Sequence, residues 1–196
     1  GLFSEFDGGY IRNLKLNGLK ITGFDYVGGV IGESNSGLIY NVTSSGSIIG
    51  NDYVGGISGE TSQTDIKHSM SYVSVIGNNN VGGLTGQSSS NTLIENTSTY
   101  TGPDKTINGD SNVGGLIGNS ISTSIENSYN LGVVTGGSNV GGLVGIQTSD
   151  SSITKSYASS TVNGPIANAT RGGLAGINNG NITESYWNKI ETGQTS

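Results

Sequence analysis

The stretch Val27-Gly28-Gly29-Val30-Ile31-Gly32 decides the fold of this protein, because nearly the same six-residue motif, or hexad, occurs five more times in the chain. The later copies occupy residues 54–59, 81–86, 113–118, 140–145 and 171–176. Their starts are separated by 27, 27, 32, 27 and 31 residues. Repeats of this period are typical of solenoid proteins, in which each copy stacks on the one before it.

Two further blocks recur within each unit. An isoleucine begins the second block about twelve residues after the start of each hexad: Ile39, Ile66, Ile94, Ile125, Ile153 and Ile182. A third, weaker block ends in glycine, as in Ile48-Ile49-Gly50. Asn, Ser, Asp and Gly separate these segments, and no stretch sustains the 3.6-residue apolar period of a helix. The sequence therefore predicts three short strands per unit.

Stacked units of this kind predict an all-β fold, a right-handed parallel β-solenoid (β-helix) of about seven coils with roughly 27 residues each. We expect equivalent residues to lie one above another, about 4.8 Å apart. Residues 1–196 form one predicted solenoid domain, which opens on an incomplete coil at 1–26. Full coils are expected to start at residues 27, 54, 81, 113, 140 and 171, with a C-terminal cap at about 183–196. The partial first unit indicates a piece of a longer array.

The hexad itself predicts which side chains face inward. With its first residue numbered as position zero, position three is always Val, Ile or Leu and is expected to face the core. Position four mixes Ile, Ser, Thr, Val and Ala, which favours an outward side chain. Glycines at positions one and five would let opposite walls of a narrow coil approach, and the glycine at position two would bend the chain. A phosphate-binding glycine loop is disfavoured, because no Lys-Ser/Thr and no predicted helix follow any hexad.

Composition and charge exclude several classes of protein. Only 32% of the residues are hydrophobic and 35 are glycine, but only 11% are charged, which favours a thin ordered β structure over disorder. A net charge of −6 argues against nucleic acid and anionic membranes as partners. No apolar run approaches the roughly 20 residues of a membrane span, so no membrane insertion is expected from this fragment. The chain has no cysteine and therefore no disulfide.

The hexads carry a family resemblance. The runs GVIG, GISG, GLTG, GLIG, GLVG and GLAG end the six hexads, and Ile-x-Asn-Ser-Tyr follows one of them at 125–129. This pattern resembles the bacterial GLUG-motif repeat. The resemblance implies a surface-exposed or secreted protein, since such repeats occur in large adhesins of the filamentous-haemagglutinin type and in non-catalytic parts of immunoglobulin A-cleaving metallopeptidases. It supplies no catalytic residue.

No catalytic constellation is visible in the chain. The only histidine is His68, so a His-Glu-x-x-His zinc motif cannot be built. Ser-His-Asp catalysis would need His68, which is expected in an outward column of polar residues beside Lys67. We therefore expect a non-enzymatic protein with no catalytic residue and no cofactor. Two alternatives stay open: an ancillary β-helical region of a secreted immunoglobulin A-type metallopeptidase, and a polysaccharide-active β-helix enzyme.

Tyrosines and inserted loops are the candidate contact residues. Tyr26 and Tyr53 precede two hexads, and a second column follows the isoleucine block: Tyr129, Tyr157 and Tyr186. Such columns predict stacked aromatic ladders, although exposed aromatic rings also bind sugars. Both longer units contain a proline, and insertions in solenoids leave as loops on one face. The candidate loop residues are Pro103, Asp104, Lys105 and Pro165.

Acidic residues also recur in columns. The candidates for a weak cation site are Asp25, Asp52, Glu33 and Glu60. Carboxylates stacked in adjacent coils repel one another, and either solvation or a bound Ca²⁺ would relieve the repulsion. A solvated face is the favoured interpretation, because no hexad continues into the Gly-Gly-x-Gly-x-Asp pattern of calcium-binding β-rolls. We expect no dedicated metal site.

Together these observations predict a non-enzymatic repeat module of a bacterial cell-surface or secreted adhesin. The module would act as a stalk or spacer, with a host glycan or host protein as the partner of one contact face. The expected location is extracellular, at the bacterial cell surface.

Overall fold

A computed structural model of the protein describes residues 1–102, 104–164 and 170–195. These described residues are almost entirely β, with one short helix near the C-terminal end. The strands are β1 (Phe3–Thr22), β2 (Val27–Gly28), β3 (Ile31–Ile49), β4 (Asp52–Gly55), β5 (Ser58–Ser62), β6 (Thr64–Lys67), β7 (Met70–Ile76), β8 (Asn79–Gly82), β9 (Thr85–Ser89), β10 (Thr92–Glu95), β11 (Ser98–Tyr100), β12 (Ile107–Gly114), β13 (Ile117–Ser120), β14 (Thr123–Glu126), β15 (Tyr129–Leu131), β16 (Val133–Gly141), β17 (Val144–Gln147), β18 (Ser152–Thr154), β19 (Tyr157–Ala158), β20 (Thr161–Asn163), β21 (Arg171–Gly172), β22 (Ala175–Asn178), β23 (Asn181–Thr183) and β24 (Tyr186–Trp187). The helix is α1 (Lys189–Thr192).

Strands pair in parallel with strands one repeat away, so the chain winds as a β-solenoid of about six turns with about 28 residues per turn. The first residues of the hexads lie in one column: Val27, Val54, Val81, Val113, Val140 and Arg171. The two longer units keep this register, because Val81 still pairs with Val113 and Val140 with Arg171. The predicted parallel solenoid is confirmed, and its handedness stays a prediction.

Each middle coil contains four strand segments rather than the predicted three. In the coil that starts at residue 113, these segments are β13, β14, β15 and β16. The extra break falls at position fourteen, where Asn127 adopts the left-handed conformation with φ 48°. The structurally equivalent residues Asn96 and Lys155 are also left-handed, and each lies one residue further from its hexad. The left-handed residue bends the chain, and in the middle coils this bend separates the isoleucine block from the segment that follows, whereas β1 and β3 run on through Asn13 and Asn41.

The core is divided into two apolar columns that run along the solenoid. One column joins the hexad residues at positions three and four to the isoleucine block: Val30, Ile57, Leu84, Leu116, Leu143 and Leu174 face Ile39, Ile66, Ile94, Ile125 and Ile153. The other joins the first hexad residue to the third block, as in Val54 with Val75 and Val113 with Val134. Most of these side chains are fully buried. The coil is therefore thin, and each side chain depends on the coils above and below it for burial.

Position three faces the core as predicted, but the outward prediction for position four was wrong. Ile31, Ser58, Thr85, Ile117 and Val144 are all fully buried, and only Ala175 in the last coil is half-buried. Side chains alternate between faces only in an extended strand, and the hexad bends at positions two and three. The polar members are satisfied locally: Ser58 Oγ donates to the carbonyl of Glu60 at 2.7 Å, and Thr85 Oγ1 donates to that of Gln87 at 2.9 Å.

The three glycines of the hexad have separate steric roles. A Cβ on Gly28, at position one, would lie 2.1 Å from the carbonyl oxygen of Ile31 in the same turn. A Cβ on Gly59, at position five, would lie 2.5 Å from the Tyr26 backbone of the preceding coil. At position two, a Cβ on Gly115 would meet the opposite wall at Asn130 and the next coil at the Gly142 carbonyl. The coil is narrow because all three positions carry only backbone.

A column of buried hydroxyls replaces the backbone hydrogen-bond acceptors that are lost beside the left-handed residue at position fourteen. Ser128 Oγ, at position fifteen, accepts from the backbone N–H of Thr97 in the preceding coil at 3.1 Å and donates to the carbonyl of Glu126 at 2.7 Å. Ser69 and Ser156 make the same pair of bonds in their own coils. The hydroxyl thus supplies the acceptor that a regular ladder would have offered to the N–H group.

The C-terminal end is covered by the helix and the residues beside it. Asn188 caps α1, with its Oδ1 accepting from the N–H groups of Ile190 and Glu191 at 3.0 and 3.3 Å. The ring of Trp187 lies over Gly173, and its Nε1 donates to the carbonyl of Gln194 at 3.1 Å. Covering this end shields part of the apolar column that the last coil would otherwise expose.

Replacing the position-two glycine in a middle coil should destabilise the solenoid strongly. In Gly115→Ala the new Cβ would lie 2.0 Å from the Gly142 carbonyl oxygen, so two coils must separate. We expect the free energy of unfolding to fall by about 3 kcal/mol, measured by urea denaturation. Gly18→Ala is the control, because Gly18 has a φ of 67° but an added Cβ would meet no atom within 4 Å; it should lose only about 1 kcal/mol. Equal losses would contradict the steric explanation.

Removing one buried hydroxyl should leave a backbone N–H without its acceptor. Ser128→Ala strands the Thr97 N–H in the interior, and we expect a loss of about 1–2 kcal/mol in the free energy of unfolding. Ser124→Ala, an outward position of the same coil, should change stability by less than about 0.5 kcal/mol. Hydrogen exchange at the Thr97 amide should quicken in the first variant alone, and an unchanged rate there would refute the acceptor role.

Candidate functional site

Two predicted contact residues, Tyr26 and Tyr53, form an aromatic stack beside the hexads. Their ring centroids are 4.7 Å apart and their planes differ by 3°. Both residues are left-handed, with φ of 54° and 56°, and Tyr26 is 37% exposed. The coil spacing of about 4.8 Å sets this ring separation, because the two residues occupy the same position in adjacent coils. The predicted aromatic ladder is confirmed here.

The tyrosine column continues as an amide ladder. The next three coils place Asn at the same position, and Asn112 Nδ2 donates to Asn80 Oδ1 at 2.9 Å, while Asn139 Nδ2 donates to Asn112 Oδ1 at 2.8 Å. Thr170 Oγ1 donates to Asn139 Oδ1 at 2.7 Å. Asn tolerates the left-handed conformation better than most residues. The recurrence of Asn before the hexads is therefore a sequence signal for the left-handed backbone at this position. The pattern-based prediction did not use this signal.

An acidic column runs beside the aromatic stack. Glu5, Glu33 and Glu60 pair in register in three successive coils. Gln87 follows in the fourth coil, and its Nε2 donates to Glu60 Oε1 at 2.9 Å. Asn119 Nδ2 in turn donates to Gln87 Oε1 at 2.9 Å. The column therefore changes from carboxylates to amides along the solenoid axis.

The stacked carboxylates perturb one another. Partial burial, and then the like charges of Glu60 and Glu5, raise the pKa of Glu33 above its ordinary value of 4.5. Partial burial, followed by the charge of Glu60, also raises the pKa of Tyr26. These effects show that the tyrosine stack and the acidic column share one surface. Asp25, Tyr26 and Glu33 line the same open groove of about 370 Å³.

The aspartates of the predicted cation site are engaged by neighbouring amides. Asp25 Oδ1 accepts from Asn51 Nδ2 at 3.0 Å and from the Asp52 N–H at 3.1 Å. Asp52 Oδ1 accepts from the backbone and side chain of Asn79 at 3.2 and 2.8 Å. Within residues 1–102, 104–164 and 170–195, no three His, Cys, Asp or Glu side chains are grouped to hold a metal ion. The weak cation candidates are thus split between hydrogen-bonded aspartates and a separate glutamate column.

The candidate loop residues lie elsewhere. Asp104 is exposed, and Lys105 Nζ donates to the carbonyl of Tyr72 at 2.7 Å, which ties the insertion to an earlier coil. Pro103 and Pro165 lie outside the described residues. The structure therefore does not bring Lys105 together with the Tyr26–Tyr53 stack as one site.

The single histidine is an exposed surface residue. His68 is left-handed, with φ 50°, and its ring lies 5.1 Å from that of Tyr40 at a tilt of 59°. Its sequence neighbour Lys67 pairs with Asp65 at 3.1 Å. This position matches the polar outward column that the sequence predicts.

The second tyrosine column is partly stacked. Tyr129 and Tyr157 stack at 5.1 Å with an interplanar angle of 11°. Tyr186 pairs with Tyr157 in the next coil and is 70% exposed. Together with Trp187 it lines a further groove, which the repeat pattern does not predict because Trp187 has no counterpart in the earlier coils.

The fold and these surface columns define a parallel β-solenoid repeat module. Residues 136–163 match the family model of the GLUG motif, so the chain contains a GLUG motif there, as the sequence resemblance predicted. This range includes the hexad 140–145 and the isoleucine block that follows it. No curated protein and no solved structure matches the chain. Among the described residues, no helix is long and apolar enough to span a membrane.

Neutralising the middle carboxylate should stabilise the solenoid. Folding raises the pKa of Glu33, so the folded state binds this proton more tightly, and stability should rise as the pH falls from neutral towards 4.5. Glu33→Gln removes that dependence and is expected to add about 0.5 kcal/mol at neutral pH. Urea denaturation across this pH range measures both effects.

Glu184→Gln is the matched control, because Glu184 is an exposed glutamate in the last coil. It should leave the stability and its pH dependence close to those of the natural sequence. A Glu33→Gln protein that is less stable at neutral pH would show that the carboxylate column is held by attraction rather than strained by repulsion.

Proposed function

We propose that this protein is a non-enzymatic repeat module of a bacterial cell-surface or secreted adhesin. In this role the solenoid is a stalk or spacer, and the Tyr26–Tyr53 stack is a contact face for a host glycan or a host protein. The observation that carries the proposal is the unbroken register of the hexad column from Val27 to Arg171.

An unbroken register suits a spacer for a mechanical reason. Each coil is joined to its neighbours by parallel backbone hydrogen bonds, by buried hydroxyls and by outward amide ladders. Adding a coil extends the structure by about 4.8 Å without changing the contacts of the others. A module of this kind holds its two ends at a fixed separation, and that separation grows with the number of repeats.

The contact face is supported by the chemistry of the Tyr26–Tyr53 stack. The stacked rings lie beside Glu33 and Glu60 on one surface. Tyrosine combines a large apolar ring with a hydrogen-bonding tip, and it loses little conformational entropy on binding. Carboxylates beside the rings would accept hydrogen bonds from sugar hydroxyls or from basic side chains of a protein partner.

The proposal is tested by the double variant Tyr26→Asn/Tyr53→Asn. Asn already occupies the same left-handed position at Asn80, Asn112 and Asn139, so the variant should keep its fold and extend the existing amide ladder. On a glycan array and in pull-downs with host matrix proteins, we expect the natural sequence to bind and the variant to lose about tenfold or more in affinity.

Tyr72→Ala/Tyr100→Ala is the control, because these two rings form an edge-on pair elsewhere on the surface, with centroids 6.3 Å apart. It should bind as the natural sequence does. No binding to any glycan or matrix protein would remove the contact face and leave the spacer role alone. Turnover of a polysaccharide, including a uronate polymer, by the isolated protein would contradict the non-enzymatic proposal as a whole.

A further inference from the structure

A second groove opens near the C-terminal end, away from the Tyr26–Tyr53 face. It has a volume of about 450 Å³ and is lined by Tyr157, Ala158, Ser159, Tyr186, Trp187 and Asn188. Two adjacent coils form it, because Tyr157 pairs with Tyr186 and Ala158 pairs with Trp187 in the parallel ladder. Three aromatic rings are therefore brought together within the area of two coils.

The aromatic walls are held in place from behind. The ring of Tyr157 is backed by that of Tyr129 at 5.1 Å, and the ring of Trp187 lies over Gly173 with its Nε1 bonded to the Gln194 carbonyl. Tyr186 is 70% exposed, so it is the ring most available to a ligand. Two of the three rings are thus fixed before any ligand arrives, which lowers the entropy that binding must remove.

Polar groups at the floor of the groove are also oriented. Asn188 Oδ1 is occupied by the N-cap of α1, and one N–H of its Nδ2 donates to Ser159 Oγ at 3.3 Å. An amide nitrogen carries two N–H groups, so the second is available to donate. Ser159 accepts from Asn188 and retains its own hydroxyl proton as a donor. The groove therefore combines apolar rings with hydroxyl and amide donors.

The charge of the groove restricts the ligand. None of its six lining residues is Asp, Glu, Lys or Arg. Lys189 lies 5.9 Å from the centroid of the Trp187 ring but does not line the groove. The chain as a whole carries a net charge of −6, which repels acidic polymers at long range. A neutral ligand with both apolar and hydroxyl surfaces matches this environment.

We propose that this groove binds a neutral oligosaccharide. The apolar face of a pyranose ring carries C–H groups with partial positive charge, and these are attracted to the negative face of an aromatic ring. Tyr186 and Trp187 offer that surface, and Ser159 and Asn188 donate to the hydroxyl groups at the rim of the sugar. A proline-rich peptide also packs on aromatic grooves, and its carbonyls accept hydrogen bonds. Proline has no N–H to donate, whereas sugar hydroxyls both donate and accept and so match the hydroxyl groups of Ser159 and Tyr186 more fully.

This groove shares no residue with the Tyr26–Tyr53 face, so an experiment can refute sugar binding at one surface without refuting binding at the other. Trp187 is the only tryptophan of the chain and lines this groove, so its fluorescence reports on binding at this end of the solenoid and not at the Tyr26–Tyr53 face. The probes are cellohexaose, maltohexaose and mannohexaose, with a hyaluronan oligosaccharide and a polyproline peptide as comparators. We expect a saturable change in Trp187 emission with at least one neutral hexasaccharide.

The diagnostic variant is Tyr186→Ala, with Tyr10→Ala as control. Tyr10 is 75% exposed in the first coil, so its loss removes a comparable exposed ring far along the sequence. Tyr186→Ala should weaken the sugar affinity about tenfold, while Tyr10→Ala leaves it unchanged. Circular dichroism should show the same β spectrum and thermal midpoint for both variants, because each residue is largely exposed.

Three outcomes would overturn the proposal. The first is the absence of a saturable signal with all three neutral hexasaccharides. The second is that the Tyr186→Ala variant binds the sugar with the same affinity as the natural sequence. The third is binding of the polyproline peptide or the hyaluronan oligosaccharide in preference to the neutral sugars, which would assign the groove to a different class of partner.

Discussion

The close approach of backbone to backbone inside each hexad is the constraint on which the rest of the structure depends. At position two the wall of one coil comes so near its neighbour and the opposite wall that a single Cβ on Gly115 would lie 2.0 Å from a carbonyl oxygen. Because the coil is this narrow, one layer of aliphatic side chains fills it. A composition with only 32% hydrophobic residues can therefore still give a closed core.

Narrow coils require sharp corners, and the left-handed residues supply them. Corners occur before the first five hexads and after the isoleucine blocks, where left-handed residues bend the chain. Side chains supply hydrogen bonds at these corners: buried hydroxyls such as Ser128 serve the interior, and amides such as Asn112 link coils on the outside. The abundance of Asn and Ser in this chain is thus a structural consequence of its corners.

The two proposed contact surfaces lie in outward columns, where the repeat varies in charge and aromatic content. The column before the hexad changes from tyrosine to asparagine along the axis, and the column after it changes from glutamate to glutamine and asparagine. The inward columns at position three and at the isoleucine block hold aliphatic residues throughout. A solenoid separates the two requirements, since an outward change on one coil leaves the register of all coils intact. The Tyr26–Tyr53 face and the Tyr157–Trp187 groove are two such local changes at opposite ends.

Much of this protein was readable from its repeat. The period predicted the parallel stack, the invariant aliphatic at position three predicted the core, and the alignment of Tyr26 with Tyr53 predicted their stacking, since a constant register brings equal positions together. The GLUG resemblance likewise rests on local sequence and is confirmed at residues 136–163.

Only the tertiary structure decided the burial of position four and the groove beside Trp187. Position four varies in type, so its tolerance predicted exposure, yet the bend in the hexad turns Ser58 and Thr85 inward to backbone acceptors two residues away. The groove forms between two coils beside Asn188, the N-cap of the C-terminal helix, and no single repeat contains all of its walls. Side-chain period follows from the chain alone, whereas the direction of a bend and the meeting of distant walls follow from packing.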